Sequence, residues 1–387
     1  MQLFTLAALL PFVLAAPVIQ KPGAQLVPDQ FIVKLKDGAS ERALQDALRH
    51  VKAGNLKHSY RNTRFKGFAA KLTREALDAV RNLPEVEYIE QDAVVRTNAI
   101  VTQENVPWGL ARISHRETLA TSYVYDDSTG EDTCSYIVDT GIYVDHNDFE
   151  GRAEWLTNTI DTDDTDGNGH GTHVAGTVGG VTYGVAKKTR LFSVKVLNAW
   201  GSGTWASVIA GIDFVAADAA NRTAAGECKK GTVANMSLGG YKNDAVNAAV
   251  AAAVKSGVVF VVAAGNSADD SEWYSPASEP TAITVGASDF TDTVAWFSNY
   301  GAPVDIFAPG VNVLSAWIGG KDATNAIDGT SMASPHVAGL AAYLLGLYGP
   351  KTPAEISDII RNTSTTGVLS GLQTGTFNGV AFNGVTE

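Results

Sequence analysis

Four short strings hold residue types able to carry out nucleophilic chemistry: Val138-Asp139-Thr140-Gly141, His170-Gly171-Thr172-His173, Ala264-Gly265-Asn266 and Gly329-Thr330-Ser331-Met332-Ala333. Ser331 is the centre of the set. Residues 332–347 are almost wholly apolar, which reads as a helix buried on every face, and Gly349-Pro350 ends it. Pro335 is expected in the first turn, where its missing N–H is one of the orphan donors. The helix then starts near Ser331, whose free N–H and the positive end of the helix dipole can stabilise a developing oxyanion. The base has to come from elsewhere, because His336 lies five residues on, about 140° around the helix.

Asp139 closes the apolar run Tyr136-Ile137-Val138, which puts a carboxylate at the carboxyl end of a strand, a place where an isolated Asp is otherwise a turn residue. Asp166-Gly167-Asn168-Gly169-His170 is a glycine-rich loop that delivers His170 to the start of an apolar helix. His170 and His173 share a helical face, but the general-base Glu of a metalloprotease helix is absent and no third ligand is evident, so zinc is not expected. Asp164-x-Asp166-x-Asn168-Gly169 imitates the start of a calcium loop, yet Ala175 stands where a bidentate Glu is needed. The acidic run of Asp161, Asp163, Asp164 and Asp166 reads as a solvated loop near a cleft. Asn266, after the most apolar strand, is either a turn residue or a side-chain donor to an oxyanion.

These residues need a scaffold. From Trp108 onward, short apolar runs at 136–138, 191–197, 232–238, 258–264, 282–285 and 304–307 alternate with Ala-rich helical stretches such as 206–220 and 245–255. That alternation predicts an α/β fold with a parallel sheet covered by helices on both faces, its site beyond the carboxyl ends of the strands. Residues 30–91 read as a separate small α+β unit. Phe31-Ile32-Val33-Lys34-Leu35 alternates, Ser40 and Thr73 are helix caps, and the order is β-α-β-α-β with room for one more strand near residues 56–60, as in a ferredoxin-like split βαβ unit.

Composition bounds the rest. The 387 residues, 45% hydrophobic and 18% charged, suit a globular chain of two or more domains. Residues 3–14 are apolar and lead into Val13-Leu14-Ala15-Ala16-Pro17, which predicts a signal peptide over residues 1–15, a secreted protein and no membrane anchor. Residues 17–98 hold 14 basic and 10 acidic side chains; the rest of the chain holds 15 and 31. A basic arm on an acidic body argues against nucleic acid as a partner of the body and suggests that the two parts bind each other. Cys134 and Cys228 can form one bridge in an oxidising compartment or remain as buried thiols. Sequons occur at Asn221, Asn235 and Asn362; Asn235 is expected to be buried, leaving Asn221 and Asn362 as glycosylation candidates.

Taken together, the order Asp139, His170, Asn266, Ser331 and the four strings resemble the subtilisin-like serine proteases, and differ from the chain orders of α/β-hydrolases and chymotrypsin. From Trp108 to the C-terminus the chain is most similar to the fungal proteinase K branch, as in Pro107-Trp108-Gly109-Leu110-Ala111-Arg112, Tyr183-Gly184-Val185-Ala186-Lys187 and Tyr274-Ser275-Pro276-Ala277-Ser278-Glu279-Pro280. Residues 30–91 resemble the family's inhibitory propeptide. The resemblance implies a propeptide over 16–98, folded over about 30–92, cleaved after Asn98 to expose Ala99-Ile100-Val101, and a peptidase domain over 99–387.

It also implies a triad of Asp139, His170 and Ser331 with Asn266 in the oxyanion hole. An extended peptide or protein substrate would be clamped between Gly201-Ser202-Gly203 and Ser237-Leu238-Gly239, with Ala263, Ala264 and Gly265 lining an apolar first pocket. Trp205 is either the wall of a second apolar pocket or a surface aromatic. A structural calcium ion is implied at Pro280, Ala282 and Asp305, and a disulfide at Cys134–Cys228. A second family disulfide is not expected, since Ile283 replaces a partner, and Val174 replaces a cysteine found beside the His in some relatives. The expected protein is a secreted monomeric endopeptidase with its own propeptide as inhibitor. A catalytically silent peptide-binding relative and a serine esterase are the alternatives, separable by peptide against simple-ester turnover.

Overall fold

The computed structural model describes residues 15–20, 26–62, 64–94 and 99–385. The expected signal peptide and the bond after Asn98 lie largely outside them. The chain divides into two compact units, residues 1–97 and 98–387.

In the first unit, β1 (Val18–Ile19), β2 (Leu26–Leu35), α1 (Glu41–Leu48), β3 (Leu56–Asn62), β4 (Phe65–Lys71), α2 (Arg74–Arg81) and β5 (Val86–Ala93) follow in order. The sheet runs β1-β5-β2-β4-β3, so the last four strands have the split βαβ arrangement. Both helices are capped by hydroxyls, Ser40 Oγ accepting from Ala43 N at 3.1 Å and Thr73 Oγ1 from Ala76 N at 3.3 Å. Phe31, Val33, Leu44, Phe68, Val80 and Ile89 form the core. The edge strand β3 is exposed along most of its length and carries little apolar signal, so residues 56–60 read only as room for a strand.

The second unit opens with a ladder of β6 (Ile100–Glu104) and β7 (Ser122–Asp126) around α3 (Trp108–Ser114). Then come β8 (Thr133–Asp139), β9 (Ala153–Asn158), α4 (His170–Gly179), β10 (Arg190–Lys195), α5 (Trp205–Ala224), β11 (Gly231–Met236), β12 (Gly240–Tyr241), α6 (Asp244–Lys255), β13 (Val259–Ala263), β14 (Tyr274–Ser275), β15 (Ile283–Ser288) and β16 (Ile306–Pro309). A hairpin of β17 (Val313–Ala316) and β18 (Thr324–Ile327) precedes α7 (Thr330–Tyr348), α8 (Pro353–Thr363), β19 (Thr365–Thr366) and β20 (Gly379–Val380). The main sheet is ordered β19-β20-β16-β15-β13-β11-β8-β10-β9, parallel throughout except the β19–β20 pair.

The period-2 pattern of the strands splits the core between two faces. Ile137, Val233, Val259 and Val261 pack with α4 and α7, while Tyr136, Val138, Ala234, Met236, Phe260 and Val262 pack with α5 and α6. The chain leaves β8 toward β9 and β10 on one side, then returns to place β11 on the other. That reversal makes the carboxyl ends of β8 and β11 a topological switch point, where such sheets bind ligands.

Two sequence expectations need revision here. The helix at Ser331 starts at Thr330, so Pro335 is its sixth residue and lies in the second turn. The strand β9, with the sequence AEWLTN, was not anticipated, because an edge strand only partly buried lacks a continuous apolar run. Cys134 and Cys228 form the disulfide, with Cα atoms 5.3 Å apart. Among the described residues no helix is long and apolar enough to cross a membrane.

Candidate active site

Asp139 is the last residue of β8 and is fully buried. Its Oδ1 accepts from the Thr140 N–H at 2.7 Å and lies 2.7 Å from His170 Nδ1. That contact places the proton on Nδ1 and leaves Nε2 as the basic nitrogen. His170 is the first residue of α4, and about a quarter of its side chain is exposed. Close packing brings the two together: a Cβ on Gly171 would lie only 2.0 Å from the Gly141 carbonyl oxygen, so only glycine lets the helix approach the end of β8 this closely. Burial by itself lowers the imidazole's pKa, but the charge and hydrogen bond of Asp139, with a further contribution from Asp166, raise it above the ordinary histidine value.

Ser331 is the second residue of α7, so its N–H is among the donors the helix cannot pair internally. Among the described residues its hydroxyl donates to the Ser237 carbonyl at 3.2 Å rather than to His170. Pro335 has no N–H to offer the Ser331 carbonyl four residues back. Ser237 Oγ donates to that carbonyl instead, at 2.7 Å. Behind it, Asn235 Nδ2 donates to Ser237 Oγ at 2.9 Å and Ser334 Oγ donates to Asn235 Oδ1 at 2.7 Å. Asn235 is 1% exposed, which removes its sequon from the surface, whereas Asn221 and Asn362 are exposed on α5 and α8.

Asn266 follows β13. Its Oδ1 accepts from Thr330 N at 2.9 Å and from Thr330 Oγ1 at 2.7 Å. A backbone N–H can only donate, so the atom facing it must be the oxygen, and the amide N–H groups are left for the cleft. Of the other histidines, His336 is buried and its Nδ1 lies 2.8 Å from the Met332 carbonyl, while His173 Nε2 lies 2.9 Å from the Val313 carbonyl. Burial pushes each of these imidazoles down to about 4. Neither meets a metal-binding cluster: among the described residues no group of three or more His, Cys, Asp or Glu could hold an ion.

A groove of about 740 Å³ runs past His170 between Gly201, Ser202, Gly203 and Trp205 on one side and Ser237, Leu238 and Gly239 on the other. Trp205 is half-buried at the start of α5, with Gly240 against its ring. A pocket of about 320 Å³ adjoins Ser331 and is lined by Ala263, Ala264, Gly265 and Asn266. Tyr241 and Tyr274 also line it, their rings stacked 5.8 Å apart. Sequence reasoning passed over these tyrosines, as it did the roles of Thr140 and Ser334, and it expected Asn235 to be buried but without its hydrogen bonds; the signal for the tyrosines was Tyr241 beside the glycine-rich Leu238-Gly239-Gly240.

Away from the groove, Pro280 and Ala282 directly precede β15, and Asp305 lies against that strand's start. Thr284 N donates to Asp305 Oδ2 at 2.9 Å, and Arg361 Nη1 lies 2.9 Å from Asp305 Oδ1. Burial holds the Asp305 pKa above the ordinary value, although the Thr284 N–H and Arg361 pull it down.

Comparison with known proteins gives the family. The model of the subtilase family matches residues 136–380, and that of the peptidase inhibitor I9 family matches residues 30–98. A cuticle-degrading protease of Metarhizium anisopliae is 49% identical over 99% of this chain and 100% of that protein. Proteinase R of Parengyodontium album is 50% identical over 95% of this chain and 92% of its own. Proteinase T of the same organism is 60% identical over 67% of this chain and 87% of its own. The crystal structure of a cold adapted subtilisin-like serine proteinase superposes with a TM-score of 0.67 at 39% identity, covering 73% of this chain and 100% of that one. The chain belongs to the subtilase family: it is a subtilisin-like serine endopeptidase and carries an I9-type inhibitor segment ahead of the peptidase.

Proposed function

We propose that Ser331 is the nucleophile, His170 the general base and acid, Asp139 its orienting carboxylate, and the Ser331 N–H and Asn266 amide the oxyanion donors. The observation that carries this reading is the 2.7 Å Asp139–His170 contact beside a groove that shares Leu238, Gly239 and Gly240 with the pocket of Ser331, a serine at a helix N-terminus. When substrate binds, rotation about the Ser331 Cα–Cβ bond takes the hydroxyl from the Ser237 carbonyl to His170 Nε2. Oγ bonds to the scissile carbonyl carbon as its proton passes to Nε2, and the carbonyl oxygen becomes the oxyanion. The C–N bond then breaks and Nε2 returns the proton to the leaving amine. Water repeats the sequence on the ester, giving up a proton to Nε2 and releasing the acid and Ser331.

The substrate lies extended between the segments at Gly201 and Ser237, so main-chain pairing gives broad sequence tolerance. The apolar pocket beside Ser331 favours a large aliphatic or aromatic residue before the cut, and Trp205 walls the next apolar subsite. Residues 16–98 serve as an intramolecular inhibitor and folding aid, removed by cleavage after Asn98 from a secreted monomer.

A calcium ion suits the Pro280 and Ala282 carbonyls and the Asp305 carboxylate, a set of hard oxygen ligands whose buried charge Arg361 offsets only in part. Its role would be structural. Chelation should lower Tm, and Arg361→Ala should enlarge that loss; a Tm indifferent to chelator in both proteins excludes the ion.

The reading as a whole is tested by producing the full chain beside Ser331→Ala and following both the N-terminus and cleavage of an Ala-Ala-Pro-Phe anilide. Processing to Ala99 with turnover in the wild type alone supports it. A matured wild type that cleaves neither the anilide nor casein overturns it.

A further inference from the structure

The acidic run before α4 is unused by the mechanism, and its four members are not alike. Asp161, Asp163 and Asp164 are exposed, and Asn158 Nδ2 donates to Asp161 Oδ1 and Asp164 Oδ1. Asp166 is 6% exposed, and its carboxylate accepts five hydrogen bonds. Oδ1 takes Thr140 Oγ1 at 2.8 Å, Gly169 N at 2.8 Å and Asn168 N at 3.1 Å. Oδ2 takes Thr172 N at 2.9 Å and Thr172 Oγ1 at 2.6 Å.

Gly169 is the N-cap of α4 and has no side chain with which to meet the helix's free N–H groups. Asp166 supplies the missing acceptor from three residues upstream and sets a negative charge at the positive end of the helix dipole. The Thr140 hydroxyl completes a link: it donates to Asp166 and accepts from Gly171 N at 2.9 Å. The residue after Asp139 is thereby fastened to the residue after His170, and both are fastened to one buried carboxylate. A calcium loop would have turned these oxygens toward an ion; here backbone and hydroxyl donors fill them.

The charged groups around His170 come from every element packed there. Asp139 lies on β8, Asp166 on the loop entering α4, and neutral His173 on α4 itself. Lys195 on β10 pairs in register with Asp139, is 1% exposed, and gives its ammonium to the carbonyls of Thr140 and Leu197. Asp161 Oδ2 lies 3.9 Å from that ammonium.

We propose that Asp166 is a positioning residue for His170: through Thr140 and the first turn of α4 it holds the Asp139–His170 pair in register, and its buried charge favours the imidazolium that forms during catalysis. This rests on the reading of Asp139, His170 and Ser331 as the triad. Both carboxylate oxygens face at least one backbone N–H, so in Asp166→Asn the amide nitrogen must oppose a donor whichever way it turns.

The test uses the peptidase matured from the full chain, with Asp166→Asn, Thr140→Val and Thr140→Ser assayed on the anilide across pH beside Ser331→Ala, which is processed in trans by added wild-type enzyme that is then removed. Asp166→Asn should lower kcat about 10- to 100-fold with KM little changed, the size of a sub-ångström misplacement at the reacting centre. It should also move the acid limb of kcat/KM to lower pH, because a negative charge that raised the imidazole's pKa is gone. Thr140→Val should lower kcat without moving that limb, and Thr140→Ser, which keeps the hydroxyl, should restore it. A folded Asp166→Asn with wild-type kcat and an unmoved limb overturns the proposal. If that variant does not mature, Thr140→Val decides, and wild-type kcat in it overturns the link. Turnover surviving in Ser331→Ala would instead overturn the triad reading beneath.

Discussion

The two halves of the cleft are held by different chemistry. On the Asp139–His170 side the fastening is ionic: one buried carboxylate faces the imidazole, and a second, Asp166, collects five donors behind it. On the Ser331–Asn266 side it is neutral: hydroxyls and carboxamides of Ser237, Asn235, Ser334 and Thr330 hold a helix terminus. The difference fits the task. Positive charge develops on the imidazole and is met by fixed carboxylates, while negative charge develops at the oxyanion and must be met by donors. Removing a charge on the ionic side should therefore move pH profiles, and changes on the neutral side should change rates alone.

The histidines sharpen this contrast most. His170 is raised above its ordinary value and His173 and His336 are pushed down to about 4. The two buried rings remain neutral in the folded state while the unfolded chain protonates its histidines below about 6.5. Their contribution to stability is whole above that pH and is lost as pH falls toward 4, by about 3 kcal/mol for each ring over the full window. His170 has the opposite sign, its contribution being present below about 6.5 and lost as pH rises through its folded pKa. Urea melts of Ser331→Ala, which avoid autolysis, should show stability falling between pH 6.5 and 4, less steeply when His336 is also replaced by Gln.

On the neutral side, Asn266→Ala removes one charge-assisted hydrogen bond from the transition state and should lower kcat about 10- to 100-fold with KM and the acid limb unmoved. A shifted limb would mean that the two halves are not separable. Ser334→Ala acts further back, leaving Asn235 Oδ1 without its donor; a loss of about 1 to 2 kcal/mol in global stability with a several-fold lower kcat is expected, read from denaturant melts beside initial rates.

How far the sequence carries can be traced on particular residues. The strands of the main sheet are apolar runs because both faces are covered, and they were legible for that reason; β9 and β3, at sheet edges, were not. The four strings around Asp139, His170, Asn266 and Ser331 stand out by residue type and order; Asp139 pairs with His170 beside one groove, and Asn266 and Ser331 line the pocket that adjoins it. Orientation is what sequence lacks. Nothing in the string reveals that Pro335 lies a turn deeper than expected and frees the Ser331 carbonyl for Ser237, or that Asn266 presents its amide because Thr330 claims its oxygen. Asp166 was hidden among acidic neighbours and a calcium-like spacing, since its burial depends on contacts with Thr140 and α4 that no local pattern encodes. Arg361 reaches Asp305 from 56 positions away, which local spacing likewise cannot show.

The central claim is that Ser331 is made nucleophilic by His170. The most direct measurement is covalent labelling with a serine-directed fluorophosphonate, followed by peptide mass mapping, of the matured wild type and of His170→Ala processed in trans by wild-type enzyme that is then removed. The account predicts one label per molecule on Ser331 in the wild type, and a labelling rate in His170→Ala lower by about 10²- to 10⁴-fold, the range of general base assistance. A label on another residue, or a rate unchanged without His170, would contradict it.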